Sequence, residues 1–258
     1  MSAAYDTYDY PSYWLGREYE HFSEVLAIKA YLQKISKVRN ILEVGAGYGR
    51  LAKIYLYRGK KIILSDPSSR LLAIARDELG NNHNREIKFI HSSLENLPKK
   101  IKAGNINLTI CVRVLHHIKD IDNAFSLINK LLSKRGYLIL EFANKSHFKA
   151  TISEFLKGNL TFPLDIFPKD IRSRRNIRKN TLPFVNYHPD DIVKKLKDSG
   201  FEIIEARSIS NIRSGFFKKI IPLDTLLVCE KALQKPFAKI HFGPSILILA
   251  RKRATPST

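Results

Sequence analysis

The sequence predicts an α/β fold: a mostly parallel, doubly wound sheet with helices on both faces. Three observations carry this. From Arg39 onward, short continuous apolar runs alternate with segments of helical periodicity, as expected of strands buried on both faces and linked by crossover helices. The first apolar run leads directly into a glycine-rich turn, ILEVGAGYGR over 41–50. The second run closes on an acid, Asp66.

The elements follow in order. A first strand is expected over 40–44 and a helix over 48–57. A strand over 61–65 precedes a helix over 68–79, with Leu71, Leu72 and Ala75 on one side. Strands over 87–91 and 107–112 come next. A helix over 121–132 then presents Phe125, Ile128 and Leu132 along one face, and a fifth strand spans 137–142. The pattern breaks after Asn144. Residues 144–188, rich in charge, phenylalanine and proline, read as an insertion or lid over the carboxyl edge of the sheet. A helix over 189–199 has proline in its first turn and Gly200 as its stop. A sixth strand follows over 201–209. Residues 216–235 are apolar and basic, helical in part and broken by Pro222, and a seventh strand spans 245–250.

Composition bounds the reading. A chain of 258 residues with 44% hydrophobic content can bury one sizeable core. One elaborated domain over 1–258 is therefore expected: an amino-terminal lid or helix (1–38), a ligand-binding half (39–143), the insertion (144–188) and a carboxyl half (189–258). Cys111 and Cys229 lie far apart in apolar runs and support neither a disulfide framework nor a zinc site; both are expected as buried thiols. The amino terminus lacks an apolar h-region, and no apolar run approaches the ~20 residues that span a bilayer. A cytoplasmic protein, soluble or peripheral to a membrane, is expected. The net charge is +20, distributed unevenly: residues 1–24 carry −4 and the remainder +24. Such a field favours anionic membrane or nucleic acid as a partner but assigns no function by itself.

In open α/β sheets, ligands bind beyond the carboxyl ends of the strands, where the strand order reverses. The turn after the first strand therefore lies where a ligand would sit. Its glycines, Gly45, Gly47 and Gly49, would let a ligand approach the main chain, and Glu43 supplies a polar group at the strand end. The spacing is G-x-G-x-G rather than the G-x-G-x-x-G of dinucleotide binders. Asp66, followed by Pro67, stands about 20 residues further on, where an acid can accept from ribose hydroxyls; capping the next helix is its plain structural alternative. In HSSLENLP (91–98), Ser93 and the backbone of Leu94 could face an adenine ring. CVRVLHHIKD (111–120) carries adjacent histidines, which rarely converge on one metal, and no metal site is expected.

Together, these four segments resemble the class I S-adenosylmethionine (SAM)-dependent methyltransferases, in the broad type 11-like group with quinone- and small-molecule-methylating members. The resemblance covers roughly residues 39–143, with weaker support over 189–253. It implies a Rossmann-like sheet of seven strands, the last antiparallel, and SAM as cofactor. It implies that Glu43, Gly45, Ala46, Gly47 and Gly49 contact the methionine part of SAM and that Asp66 and Pro67 serve the ribose. Ser93 and Leu94 would frame the adenine, with Val112 and Arg113 on the floor near the sulfonium. The sequence departs from the family pattern at Ser93 and Asn107, where aspartate is common, and at Arg113, where a small or polar residue is usual.

Transfer from a sulfonium needs chiefly alignment and exclusion of water. A base is required only if the acceptor must lose a proton. His116, His117, Tyr187 and His188 are the candidates, and Glu141 could orient an acceptor. The aromatic segment 5–22 could close as a lid, with Tyr13, Trp14 and Arg17 inward, or form a helix packed at the sheet edge. The basic stretch 167–180 suits phosphate or anionic lipid, or is a solvated loop. The acceptor is expected to be a small or lipid-like molecule. Two alternatives stand beside this reading: a non-catalytic protein of the same fold that uses its basic surface, and an NAD-dependent oxidoreductase.

Overall fold

The computed structural model describes residues 6, 9–36, 38–80, 85–179 and 181–254. Tyr5 and Tyr8 of the aromatic segment and Asn180 of the basic stretch lie outside them.

The chain opens with α1 (Glu18–Lys34), then β1 (Asn40–Val44), α2 (Ala52–Tyr55), β2 (Lys61–Asp66), α3 (Ser69–Leu79), β3 (Glu86–His91) and β4 (Ile106–Cys111). After α4 (Ile121–Leu131) and β5 (Leu132–Ala143) comes the insertion, with α5 (Phe148–Leu156), β6 (Lys169–Asp170), α6 (Arg174–Arg178) and β7 (Val185–Asn186). The chain returns through α7 (Pro189–Asp198), β8 (Phe201–Ile209), α8 (Gly215–Ile220), α9 (Leu223–Ala238) and β9 (Ser245–Lys252).

Seven strands form one sheet in the order β3-β2-β1-β4-β5-β9-β8. Six point the same way, and β9 runs antiparallel between β5 and β8. The chain leaves β1 toward β2 and β3, then crosses back to place β4 on the other side of β1. That reversal opens a crevice at the carboxyl ends of β1 and β4, as the sequence anticipates.

Alternation along the strands divides the core into two layers. Leu42, Val44 and Ile63 pack with Phe125, Ile128 and Leu196 from α4 and α7. Ile41, Ile62 and Leu64 pack with Ile28, Tyr31 and Leu32 of α1 and with Tyr55 of α2. The seventeen-residue α1 is the main element beyond the expected strand–helix series. Val25, Ile28, Leu32 and Ile35 recur at helical spacing and are buried against the sheet.

Several boundaries differ from expectation for physical reasons. The helix expected over 48–57 shrinks to α2 and a 3-10 turn over Leu56–Arg58, because the glycine turn itself extends through Gly49, at φ +79°. Strand β5 begins at Leu132, five residues early, because a register shift between Ile106 and Leu108 lets Leu132 pair with Ile106. Pro222 separates α8 from α9. Cys229, expected buried, is exposed, whereas Cys111 is buried.

The insertion is fastened to the sheet at its base. Asn144 bridges Tyr187, and the buried Lys145 ammonium donates to the carbonyls of Asp165 (2.8 Å) and Phe167 (2.7 Å). No helix among the described residues is long and apolar enough to cross a membrane.

Candidate active site

A cavity of about 500 Å³ opens at the carboxyl ends of β1, β2 and β4. The glycine turn forms one wall. Gly45 (φ +68°) and Gly47 (φ +54°) both line the cavity with backbone in the left-handed region that side chains disfavour. A Cβ on Gly45 would also collide with Val114. Ala46 and Gly49 face away; the Ala46 amide bonds the Ser65 carbonyl at 2.9 Å.

Asp66 lines the cavity beside this turn and is 6% exposed. Its Oδ2 accepts from the Gly47 amide at 2.8 Å and its Oδ1 from the Ser68 amide at 2.7 Å. Burial pushes its pKa up despite these two donors. The cap of α3 is Ser68, whose hydroxyl accepts from the Leu71 amide at 3.2 Å. Each Asp66 oxygen retains a lone pair beyond its amide contact, so the carboxylate can still accept from a diol. Pro67, Leu71, Leu94 and Val112 add apolar lining, with Ser92, Ser93 and Glu95 as the polar residues beside them. A polar acid facing an apolar slot, beside a main chain bare of side chains, suits a nucleoside.

Glu43 lies elsewhere. Alternation puts it on the face of Ile41, toward the α1–α2 layer, where it accepts from the Tyr55 hydroxyl. It is 3% exposed and outside the cavity lining, and burial pushes its pKa up to about 8.

Arg113 lines the cavity with its backbone at φ +59°. Its amide donates to Glu141 Oε2 at 2.8 Å, and its guanidinium turns to Glu24 at 2.5 Å. Glu24 is fully buried and also accepts from Arg50 at 2.5 Å. Burial opposes its ionisation, but Arg113 and Arg50 outweigh that cost and hold its carboxyl below the usual range. The buried Trp14 ring packs against both guanidiniums, 3.6 Å from Arg50 and 4.7 Å from Arg113. Trp14 therefore braces the floor of the site from behind. Tyr13 carries the exposed Arg17 guanidinium 4.2 Å above its ring and stacks on Tyr10 at 5.9 Å. Neither Tyr13 nor Arg17 lines the cavity; Tyr10 does, beside Gly47. Glu141 is buried outside the lining, where it supports the Arg113 backbone.

The four candidate acid–base residues separate. His117 lines the cavity, with Nδ1 2.7 Å from the Pro183 carbonyl. A carbonyl can only accept, so Nδ1 carries the proton in that contact. Burial lowers the His117 pKa. His116 is buried between His117 (4.0 Å) and Phe184 (4.4 Å) and does not line the cavity. Tyr187 is buried with its hydroxyl 3.3 Å from the Ile118 carbonyl, and burial pushes its pKa up to about 12. His188 caps α7: Nδ1 accepts from the Asp190 amide at 3.3 Å, and Nε2 lies 3.0 Å from the Pro163 carbonyl. His188, Asp190 and His241 come within metal-binding reach of one another, but both His188 nitrogens are engaged in these contacts.

Sequence reasoning missed Tyr10, Leu71, Glu95 and Val114, and the wall formed by Ile118, Leu182 and Pro183. Val114 lies inside the segment 111–120 and Leu71 four residues past Pro67, so both stood close to residues that were singled out. Leu182 and Pro183 come from the insertion, which has no periodicity to place them.

Comparison with known proteins agrees with this geometry. A family model described as a methyltransferase domain matches residues 13–206. A SAM-dependent methyltransferase from Thermotoga maritima superposes with a TM-score of 0.60 at 19% identity, covering 96% of this chain and 98% of that one. A SAM-dependent methyltransferase from Mesorhizobium loti gives 0.58 at 15% identity, covering 89% and 98%. Among curated sequences, the ribosomal RNA small subunit methyltransferase A of Wolbachia pipientis (subsp. Culex pipiens) is 23% identical over 183 residues, covering 67% of this chain and 69% of that protein.

Proposed function

Because the chain belongs to the methyltransferase-domain family, we propose that it moves the methyl group of SAM to a small or lipid-like acceptor that enters beside His117. The observation that carries this is one cavity lined both by Gly47 and Asp66 and by His117, Ile118 and Leu182.

When bound, SAM supplies a methyl group already activated on a sulfonium. The chain's residues then bind, orient and exclude water. Asp66 accepts from the ribose hydroxyls, and Ser93 and the Leu94 backbone frame the adenine. Gly45 and Gly47 let the ligand approach the main chain. Glu24 pairs with the Arg113 guanidinium and offsets its charge beside the place of the sulfonium. Tyr10 covers the glycine turn. At the acceptor end, His117 is the histidine placed in the cavity to take a proton where the acceptor must lose one. Fixing donor and acceptor in line supplies several kcal/mol of barrier lowering, on the order of what positioned intramolecular reactions achieve. The insertion, 144–188, contributes the acceptor wall.

A second reading takes RNA as acceptor. It is favoured by the net charge of +20 and by the likeness to a ribosomal RNA methyltransferase. Ile118, Leu182 and Pro183 offer an extruded base no stacking face, which favours the first reading, and the polar lining there comes from Lys119, Asp120 and Asn123. An experiment with methyl-labelled SAM and a mixture of lipid extract, small-molecule extract and RNA separates these readings. Label in the organic or small-molecule fraction supports the first, whereas label in RNA alone overturns it.

A further inference from the structure

Helices ordinarily bury their apolar stripe, and α5 does not. Phe148, Ile152, Phe155 and Leu156 recur at i, i+4, i+7 and i+8, the spacing of one helical face. All four are exposed, Leu156 to 85%, and no residue of this helix is buried. The following chain continues the pattern, with Leu160, Leu164 and Phe167 exposed to 71%, 79% and 75%. In α8, Phe216, Phe217 and Ile220 are likewise exposed, and none of its residues is buried. Isolated exposed apolar residues are ordinary; clusters of this kind mark a surface that meets something.

Topology brings these segments to one edge. β5 ends at Ala143 opposite Ser245, where β9 begins, and β8 ends at Ile209 opposite the same residue. The chain after 143, after 209 and before 245 therefore emerges at the carboxyl edge, where the cavity opens. Phe148 stacks on Phe242 at 4.8 Å, and Phe242 meets Phe237 of α9 at 4.2 Å, which joins the insertion to the end of that helix. Leu182 and Pro183 belong both to the insertion and to the cavity wall.

Positive charge accompanies the apolar surface. Between 145 and 184, nine lysines and arginines stand against Glu154, Asp165 and Asp170, a net of +6. The acids pair locally with Lys157, Lys145 and Arg172. Lys149, Arg174, Arg175, Arg178 and Lys179 are exposed in the same stretch. Half of these apolar side chains, Ile152, Leu156, Leu160, Leu164 and Ile220, are aliphatic and offer no stacking face for the bases that RNA binding uses beside phosphate contacts. They suit the boundary between headgroups and acyl chains, where lysine and arginine stems extend to the phosphates.

We propose that the insertion and α8 together dock this protein on an anionic lipid bilayer, with the cavity mouth at the membrane surface. Docking needs no donor and stands apart from the methyl-transfer reading, which it deepens only by making the acceptor membrane-borne. The test is flotation of the full chain with vesicles of phosphatidylcholine containing phosphatidylglycerol, compared with phosphatidylcholine alone. The chain should float with the anionic vesicles and be released by molar salt, as screening at such a short Debye length requires. The combined substitution Phe155→Ser, Leu156→Ser and Leu160→Ser should weaken binding on the order of tenfold or more with an unchanged melting temperature. Tyr57→Ser, exposed at the amino edge of the sheet, should leave binding intact. Absence of flotation, equal flotation of the triple variant, or binding to unstructured RNA without binding to vesicles would each overturn the proposal. SAM binding, measured separately by calorimetry, distinguishes failure of docking from failure of the methyltransferase reading.

Discussion

The Gly47 amide donates to Oδ2 of Asp66 across 2.8 Å, tying the glycine turn after β1 to the acid that closes β2. The Ser68 amide holds the other oxygen at 2.7 Å. The carboxylate is thus fixed before any ligand arrives, and the glycine turn is held in its left-handed conformation by the group proposed to bind ribose. Preorganisation of this kind saves a ligand the cost of ordering the site.

Behind the floor, Glu24 is buried between Arg50 and Arg113. Removing one partner of a buried ion network leaves uncompensated charge. Glu24→Gln should therefore destabilise the fold by ~3 kcal/mol, seen as a lower urea midpoint. The carboxyl's pKa is depressed in the folded state, so its contribution is present above the ordinary carboxylate range and lost as pH falls through the folded value. The difference between the parent and Glu24→Gln should shrink in acid; a constant difference would contradict the ion-pair account.

Glu43 behaves with the opposite sign. Burial pushes its pKa up to about 8, so the folded state binds a proton that the unfolded chain has already released. Stability is lost as pH rises from the ordinary carboxylate range to about 8. Glu43→Gln keeps the size and a partner for Tyr55 but cannot ionise. At pH 8 this variant should be more stable than the parent by on the order of 1 kcal/mol or more, with little difference at pH 5. Thermal melts at the two pH values check it, and a variant less stable than the parent at pH 8 would refute the burial argument.

His117 should set the acid limb of the rate profile if the acceptor loses a proton. Burial lowers its pKa below 6.5, so kcat should fall only below that pH. His117→Gln should cut kcat by about a hundredfold or more with a smaller change in KM, in line with a lost general base. His116→Gln should alter stability more than chemistry, since that ring is packed outside the cavity. An acid limb that persists in His117→Gln would assign the proton transfer elsewhere.

Much of the sheet was legible because buried parallel strands are continuous apolar runs and their boundaries carry glycine, proline or an acid. That Gly47 and Asp66 line one cavity was readable because a glycine turn after one strand and an acid closing its neighbour meet at the carboxyl edge of a parallel sheet. Glu43 was misplaced for want of a rule about faces: alternation from Ile41 turns its side chain toward Tyr55. The positions of His116 and His117 could not be separated by spacing, because a 3-10 turn over Leu115–His117 decides which ring faces the cavity. The proposed acceptor wall and the proposed docking face both draw on the insertion, where tertiary contacts such as the Lys145 clip replace local periodicity.

Calorimetric titration of SAM into the parent and into Asp66→Ala tests the central claim most directly. The parent should bind with one site per chain. Asp66→Ala should bind ten- to a hundredfold more weakly, roughly the worth of one hydrogen bond to a charged group. A parent that gives no heat and no thermal shift with SAM, or a variant that binds as tightly as the parent, would contradict it.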